Sequence, residues 1–217
     1  LIDEAQSRIY DVIQSNLKRD VQDVGSVIND AMKEIEKNQT TTGLSGVPSG
    51  FPSLDRITRG WQNSDLIILA ARPSVGKTAF ALNLARNAAV DHHIPVAIFS
   101  LEMSALQLVM RLMTTESGFA SDKLKGGTRI EPYEWPELEQ RIASLAKAPL
   151  YIDDTPSIPL MEFRAKVKRL VKSKDVRLVI VDYLQLMQGP AELRGLREQE
   201  VAAISRTLKA TAKELNI

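Results

Sequence analysis

The chain has 217 residues, 44% hydrophobic and 25% charged, an ordinary globular balance that excludes a disordered or low-complexity protein. Lys and Arg total 28 against 27 Asp and Glu, a formal charge of +1; this excludes a polybasic, histone-like chain, although a local basic loop can bind nucleic acid without bulk charge. There is no cysteine, so disulfide scaffolds, Cys-bound zinc and thiol nucleophiles are excluded and a reducing cytoplasm fits.

The chain order begins with helix. No apolar run approaches the ~18 residues of a membrane span, and LIDEAQSRIY lacks the basic-then-apolar order of a signal peptide. Residues 1 to 38 instead read as wholly helical. Ile2, Ala5, Ile9, Val12, Ile13 and Leu17 recur at helical spacing, followed by Val21, Val24, Ile28, Met32 and Ile35, with Asp20 the expected N-cap. Each stretch carries one apolar face that needs a surface to lie on. Periodicity does not choose between a helix packed on its own domain and an arm docked on a neighbouring subunit. Residues 39–50, QTTTGLSGVPSG, have the composition of a loop or linker. Residues 39–217 then read as the second domain. Apolar runs of strand length at 66–70, 96–99, 150–152 and 178–181 alternate with amphipathic helices near 78–90, 103–116, 135–147, 160–173 and 198–215. That alternation predicts an α/β fold with a mostly parallel sheet flanked by helices.

Residues 71–78 read A-R-P-S-V-G-K-T. They match the phosphate-binding pattern G-x-x-x-x-G-K-[ST] except that Ala71 replaces the first glycine. A buried strand, DLIILA, leads in, and a helix, TAFALNLARNAA, leads out. In that context the backbone of Ser74, Val75, Gly76, Lys77, Thr78 and Ala79 forms an anion cradle at a helix N-terminus. Gly76 allows close backbone approach, Lys77 is placed for the β- and γ-phosphates, and the Thr78 hydroxyl for Mg²⁺. Ala71 means either that the first loop position needs no positive φ or that Pro73 reshapes the turn.

Hydrolysis needs acids on other strands. RLVIVD ends in Asp182, which beside a nucleotide would hold Mg²⁺. Residue 183 is Tyr, so the water-activating base is not the immediate neighbour. VAIFSLEM places Glu102 just past a strand. If that strand lies beside the Asp182 strand, about 5 Å away, both acids emerge at the carboxyl edge where open α/β sheets bind ligands. Glu102 is then the general base. Asp153 and Asp154 compete for the role, but D-D-T-P is also good turn chemistry. His92 and His93, before Pro95, read as a turn. The run K-V-K-R-L-V-K-S-K over 166–174 reads as a solvated helix face. Arg194 and Arg197 lie in QGPAELRGLRE, after the Asp182 strand, where a loop could sense nucleotide and contact DNA phosphates without reading bases.

TTGLSGVPSGFPSLDRITRGWQNSDLIILAARPSVGKT, then FSLEMS, LVIVDYLQLM and REQEVAAISRTLKATAKEL, together resemble the bacterial replicative DNA helicases of the DnaB type, over essentially the whole chain. The resemblance implies a RecA-like P-loop ATPase core. It also implies a hexameric ring around single-stranded DNA that uses ATP and Mg²⁺ to translocate 5′ to 3′ in the cytoplasm at the replication fork, with primase and a helicase loader as partners and no membrane. It makes Lys77 and Thr78 ligands of phosphate and metal, Glu102 the catalytic base, Asp182 the Walker B acid and Arg111 a nucleotide-site arginine. It turns the 20–37 helix into a linker that docks on the adjacent subunit. It further implies a longer native protein: an N-terminal helical domain, and beyond residue 217 a strand between the P-loop and Walker B strands, an arginine finger and a principal DNA loop. A RecA-like ATPase of another type (recombinase or clock) and a non-hydrolysing interaction fragment are the alternatives.

Overall fold

The computed structural model describes residues 23–40, 43–193 and 195–217. The helix expected over residues 1–20, with Asp20, and Arg194 therefore lie outside the described residues. The chain divides into two units, Leu1–Gly43 and Leu44–Ile217. In the first, helix α1 spans Val24–Thr40. Its start lies later than the sequence pattern suggested, because Asp23 provides the cap: the Ser26 N–H donates to its carboxylate at 3.3 Å, and the Ser26 hydroxyl to its carbonyl at 2.7 Å. The apolar face of α1 is open, with Val24, Val27, Ile28, Met32 and Ile35 all exposed.

The second unit begins with a knot of turns. Val47 and Trp61 form a two-way antiparallel bridge, and the short helix α2, Pro52–Thr58, lies between them. The Asp55 carboxylate, buried, takes the N–H groups of Ser49 at 2.8 Å and Gly50 at 3.1 Å. Gly50 sits at φ 76, and a Cβ there would lie 2.3–2.5 Å from the Asn87 side chain, so only glycine fits. These residues brace helix α3, Lys77–Arg86, because Asn87 donates to the Ser49 carbonyl at 3.0 Å and the Phe51 and Phe80 rings stack at 5.2 Å. A π-helical turn, Asn87–Asp91, extends α3.

A doubly covered parallel sheet follows. Its strands are β1, Val96–Ser100, β2, Leu150–Asp153, and β3, Leu178–Asp182, in the order β2-β1-β3. Helix α4 (Ala105–Ser117) and the single turn α5 (Ser121–Leu124) precede α6 (Trp135–Lys147); α7 (Leu160–Lys174) joins β2 to β3, and α8 (Arg197–Leu215) closes the described chain. Every residue of β1 is buried, as a central strand covered on both faces must be. Alternation splits it cleanly. Ala97 and Phe99 face a core with Phe163 and Val167 of α7 and Ile204 and Leu208 of α8. Val96 and Ile98 face Leu82 and Ala85 of α3 and Leu108 and Leu112 of α4. The Phe99 and Phe163 rings meet edge to face, 4.8 Å apart.

One expected strand is absent. Residues 66–70 form no ladder with any described residue. A strand is defined by a hydrogen-bonded neighbour, and here the apolar run has none. Ile67, Ile68 and Leu69 are consequently exposed. Their approach is tied down through Ser64, whose N–H donates to the Ile217 carbonyl at 2.9 Å, and whose carbonyl accepts from Lys209 at 2.7 Å.

Candidate nucleotide site

The phosphate loop follows residue 70 and runs into α3. Ala71 is not among the residues with positive φ; that conformation is taken by Ser74 at 65° and Gly76 at 102°. The departure from a first glycine therefore has a simple cause: this loop turns at its fourth and sixth positions. Gly76 is the N-cap of α3 and makes no side-chain cap, so the first N–H groups of the helix face outward without intrahelical acceptors. A Cβ at Gly76 would meet nothing within 4 Å, which marks open space over the cradle, of the sort a phosphate oxygen occupies. Val75 is exposed at the loop tip.

Two elements far apart in sequence meet at the start of α3. The Thr78 hydroxyl donates to one carboxylate oxygen of Asp182 at 2.7 Å, and Lys77 Nζ lies 3.8 Å from the other. Asp182 closes β3 and is buried. Two hard oxygen donors so close suit an octahedral Mg²⁺, whose neighbouring ligand oxygens sit about 2.9 Å apart. Thr78 and Asp182 would hold that ion between them.

Glu102 emerges on the same edge. Ser100 is the register partner of Asp182, and the ladder continues one step as the Leu101 N–H donates to the Asp182 carbonyl at 2.8 Å. Glu102 is the next residue. It is exposed, with no hydrogen bond or ion pair to any described residue. The strand adjacency on which its sequence assignment depended is present. The helix behind it is firmly started: Ser104 and Gln107 form a reciprocal capping box at the head of α4.

The competing acids are engaged elsewhere. Asp153 pairs with Lys166 of α7 at 2.8 Å and accepts the Thr155 N–H at 3.0 Å. Burial pushes its carboxyl up, but those hydrogen bonds outweigh it and hold the group below the usual carboxylate range. Asp154 accepts the Ala105 N–H at 2.8 Å, at the first residue of α4.

Arg111 is exposed on α4 and lines a cleft of about 210 Å³ with Ala79 and Asn83 of α3. The far ends of these helices are pinned together. Arg86 donates to Glu116 at 2.7 Å, and Glu116 also accepts from Ser144 of α6 at 3.0 Å. The hydrogen bond from Arg86 holds the Glu116 carboxyl below its ordinary value against the opposing effect of burial.

Arg197 sits not in a loop but at the first position of α8. Its guanidinium donates to Glu200 at 2.6 Å and to the Gln185 carbonyl. Two residues escaped sequence reasoning. Asp55 was visible only as the last letter of a family motif, and its capping role needs the fold. Tyr183 registered only as a residue that is not an acid, yet its ring lies 4.5 Å from Lys77 Nζ.

A family model described as the DnaB-like helicase C terminal domain matches residues 46–217. The chain belongs to that family. Its α/β architecture, a parallel sheet flanked by helices behind a phosphate loop, is the RecA-like ATPase arrangement the sequence implied. Among relatives, the chain is 45% identical to the replicative DNA helicase DnaB of Geobacillus stearothermophilus, over 100% of this chain and 48% of that protein. It is 44% identical to the replicative DNA helicase DnaC of Bacillus subtilis (strain 168), again over 100% of this chain and 48% of the relative. The chain thus spans about half the length of these curated relatives. Of solved structures, one of an isolated ATPase domain superposes with a TM-score of 0.82 at 32% identity, covering 91% of this chain and 69% of that one. A DnaB-like replicative helicase, solved in a study of its interactions with primase, gives a TM-score of 0.77 at 32% identity, covering 100% and 51%. These DnaB-like relatives outweigh the recombinase and clock-type alternatives.

Proposed function

We propose that the full-length protein is a replicative DNA helicase in which this chain supplies the ATP-hydrolysing motor. Six copies form a ring that couples hydrolysis to 5′ to 3′ movement on single-stranded DNA and to duplex unwinding. The observation that carries the reading is the convergence of Lys77 and Thr78 on Asp182, with an unpaired Glu102 two residues beyond its register partner.

The roles follow from the side chains. The N–H groups of Gly76, Lys77, Thr78 and Ala79 take the phosphate oxygens, and Lys77 adds a mobile positive charge at the β- and γ-phosphates. Mg²⁺ bound at Thr78 and Asp182 would neutralise phosphate charge. Glu102, free of structural partners, accepts the proton of the attacking water as general base. Arg111 reaches the nucleotide from the cleft beside α3. These site assignments belong to the proposal.

So do the partners. The open apolar face of α1 suits docking on the next subunit of a ring, and the unpaired 66–70 run suits a further strand of the longer protein. DNA phosphates are taken by Arg194 and Arg197, the latter by exchanging Glu200 for phosphate. Primase and a helicase loader complete the set, and the working place is the cytoplasm at the replication fork. No helix among the described residues is long and apolar enough to cross a membrane.

The test is ATP turnover by the full-length protein with and without unstructured single-stranded DNA. Stimulation by DNA of any sequence, falling steeply with salt, is expected. An ATPase indifferent to DNA would overturn the helicase reading and leave only a nucleotide hydrolase.

A further inference from the structure

The mechanism leaves Tyr183 unused, and packing does not account for it. The residue belongs to neither core cluster, although its neighbour Leu184 packs against one. Its hydroxyl has no hydrogen-bond partner among the described residues. Its ring face is engaged: Lys77 Nζ lies 4.5 Å from the ring centroid. The same nitrogen is 3.8 Å from Asp182, and the Lys77 side chain is 32% exposed. The ammonium is therefore seated between a carboxylate and an aromatic face, in a site partly shielded from water.

That arrangement has a physical use. Lysine carries its charge on a long, flexible stem, and ordering the stem at the moment of binding costs entropy. The Asp182 carboxylate alone is a poor anchor, because its second oxygen already receives the Thr78 hydroxyl. An aromatic quadrupole attracts a cation without neutralising it or competing for its hydrogens as a second carboxylate would. A residue that is aromatic, directly after the Walker B acid, holds the ammonium close to the phosphate cradle while leaving its three N–H groups available.

We propose that Tyr183 is a positioning residue for Lys77: its ring face pre-orders the ammonium so that nucleotide phosphate meets a lysine already in place. The inference rests on the nucleotide-site reading above. It assigns the effect to the ring and not to the hydroxyl, and to Lys77 and not to the fold.

The experiment is a calorimetric titration of Mg-ATP into the full-length protein, comparing wild type, Tyr183→Phe, Tyr183→Leu, Lys77→Met and the Tyr183→Leu/Lys77→Met pair. Tyr183→Leu should weaken ATP binding by about fivefold, the scale of one partly shielded cation–π contact. Tyr183→Phe, which keeps the face, should stay within about twofold of wild type. In the Lys77→Met background, Tyr183→Leu should change affinity by less than about twofold, because the contact is already gone. A Tyr183→Leu affinity equal to wild type overturns the inference, as does an equal penalty in both backgrounds or a Phe variant as weak as Leu. If Tyr183→Leu does not melt as a folded protein, Tyr183→Met takes its place in the same cycle. A wild type that binds no ATP overturns the nucleotide-site reading, and this inference with it.

Discussion

Two neighbouring strand ends of one sheet carry acids, and they are put to different uses. At the end of β2, Asp153 is held by Lys166 and the Thr155 N–H, and Asp154 caps the start of α4. At the ends of β1 and β3, Glu102 has no partner among the described residues, and Asp182 meets the two residues that open the P-loop helix. Both ends look alike in sequence, an apolar run and then carboxylates. What separates them is supplied from a distance: a lysine on α7 and the first N–H of α4 on one side, the phosphate loop on the other. A carboxylate already satisfied by structural hydrogen bonds makes a poor base, whereas one left unpaired at a ligand-binding edge is ready for chemistry.

The contrast between the two ends is tested most severely at the P-loop. Lys77→Ala should lower ATP hydrolysis by more than about 10², the scale of removing one charge-stabilising donor from a phosphoryl-transfer site, while leaving the thermal unfolding midpoint nearly unchanged. Steady-state turnover and a melting curve on the same preparation check both halves.

The β2 end should show the reverse pattern. Asp153→Ala removes charged hydrogen bonds to Lys166 and Thr155 and should lower unfolding free energy by about 1–2 kcal/mol, with ATP affinity unchanged. Denaturant unfolding beside a nucleotide titration distinguishes the two. The same pair has a pH signature. The Asp153 carboxyl titrates lower in the folded chain than in the unfolded one, so its contribution is fully present above about pH 3.9 and is lost as pH falls through the folded value. The stability gap between wild type and Asp153→Ala should therefore narrow in acid. Lys166 retains Glu162 at 3.1 Å in that variant, which keeps the lysine from being stranded.

Much of this was legible in the sequence because the signals were local. The three paired strands and the five long helices of the second unit follow from apolar runs and helical periodicity, and the phosphate loop from A-R-P-S-V-G-K-T between a strand and a helix. The adjacency of the Glu102 and Asp182 strands was a conditional inference that β1–β3 pairing satisfies. What failed was non-local or a matter of competition. The 66–70 run has strand composition, but strandhood requires a partner. Asp20 and Asp23 are both cap-competent, and the side-chain bond to Ser26 identifies Asp23. Arg197 looked like a loop cation until Glu200, one helical turn on, claimed it. Tyr183 gave no signal because its value lies in a lysine more than a hundred positions away.

The most direct measurement is single-turnover hydrolysis of bound ATP by the full-length protein, with wild type, Glu102→Gln and Asp154→Asn side by side. If the acid after β1 activates water, Glu102→Gln will bind ATP as wild type does and hydrolyse it at least about 10² more slowly, and Asp154→Asn will keep the wild-type rate. A Glu102→Gln protein that hydrolyses at the wild-type rate, or an Asp154→Asn protein crippled to the same degree, would contradict the division of labour between the two strand ends.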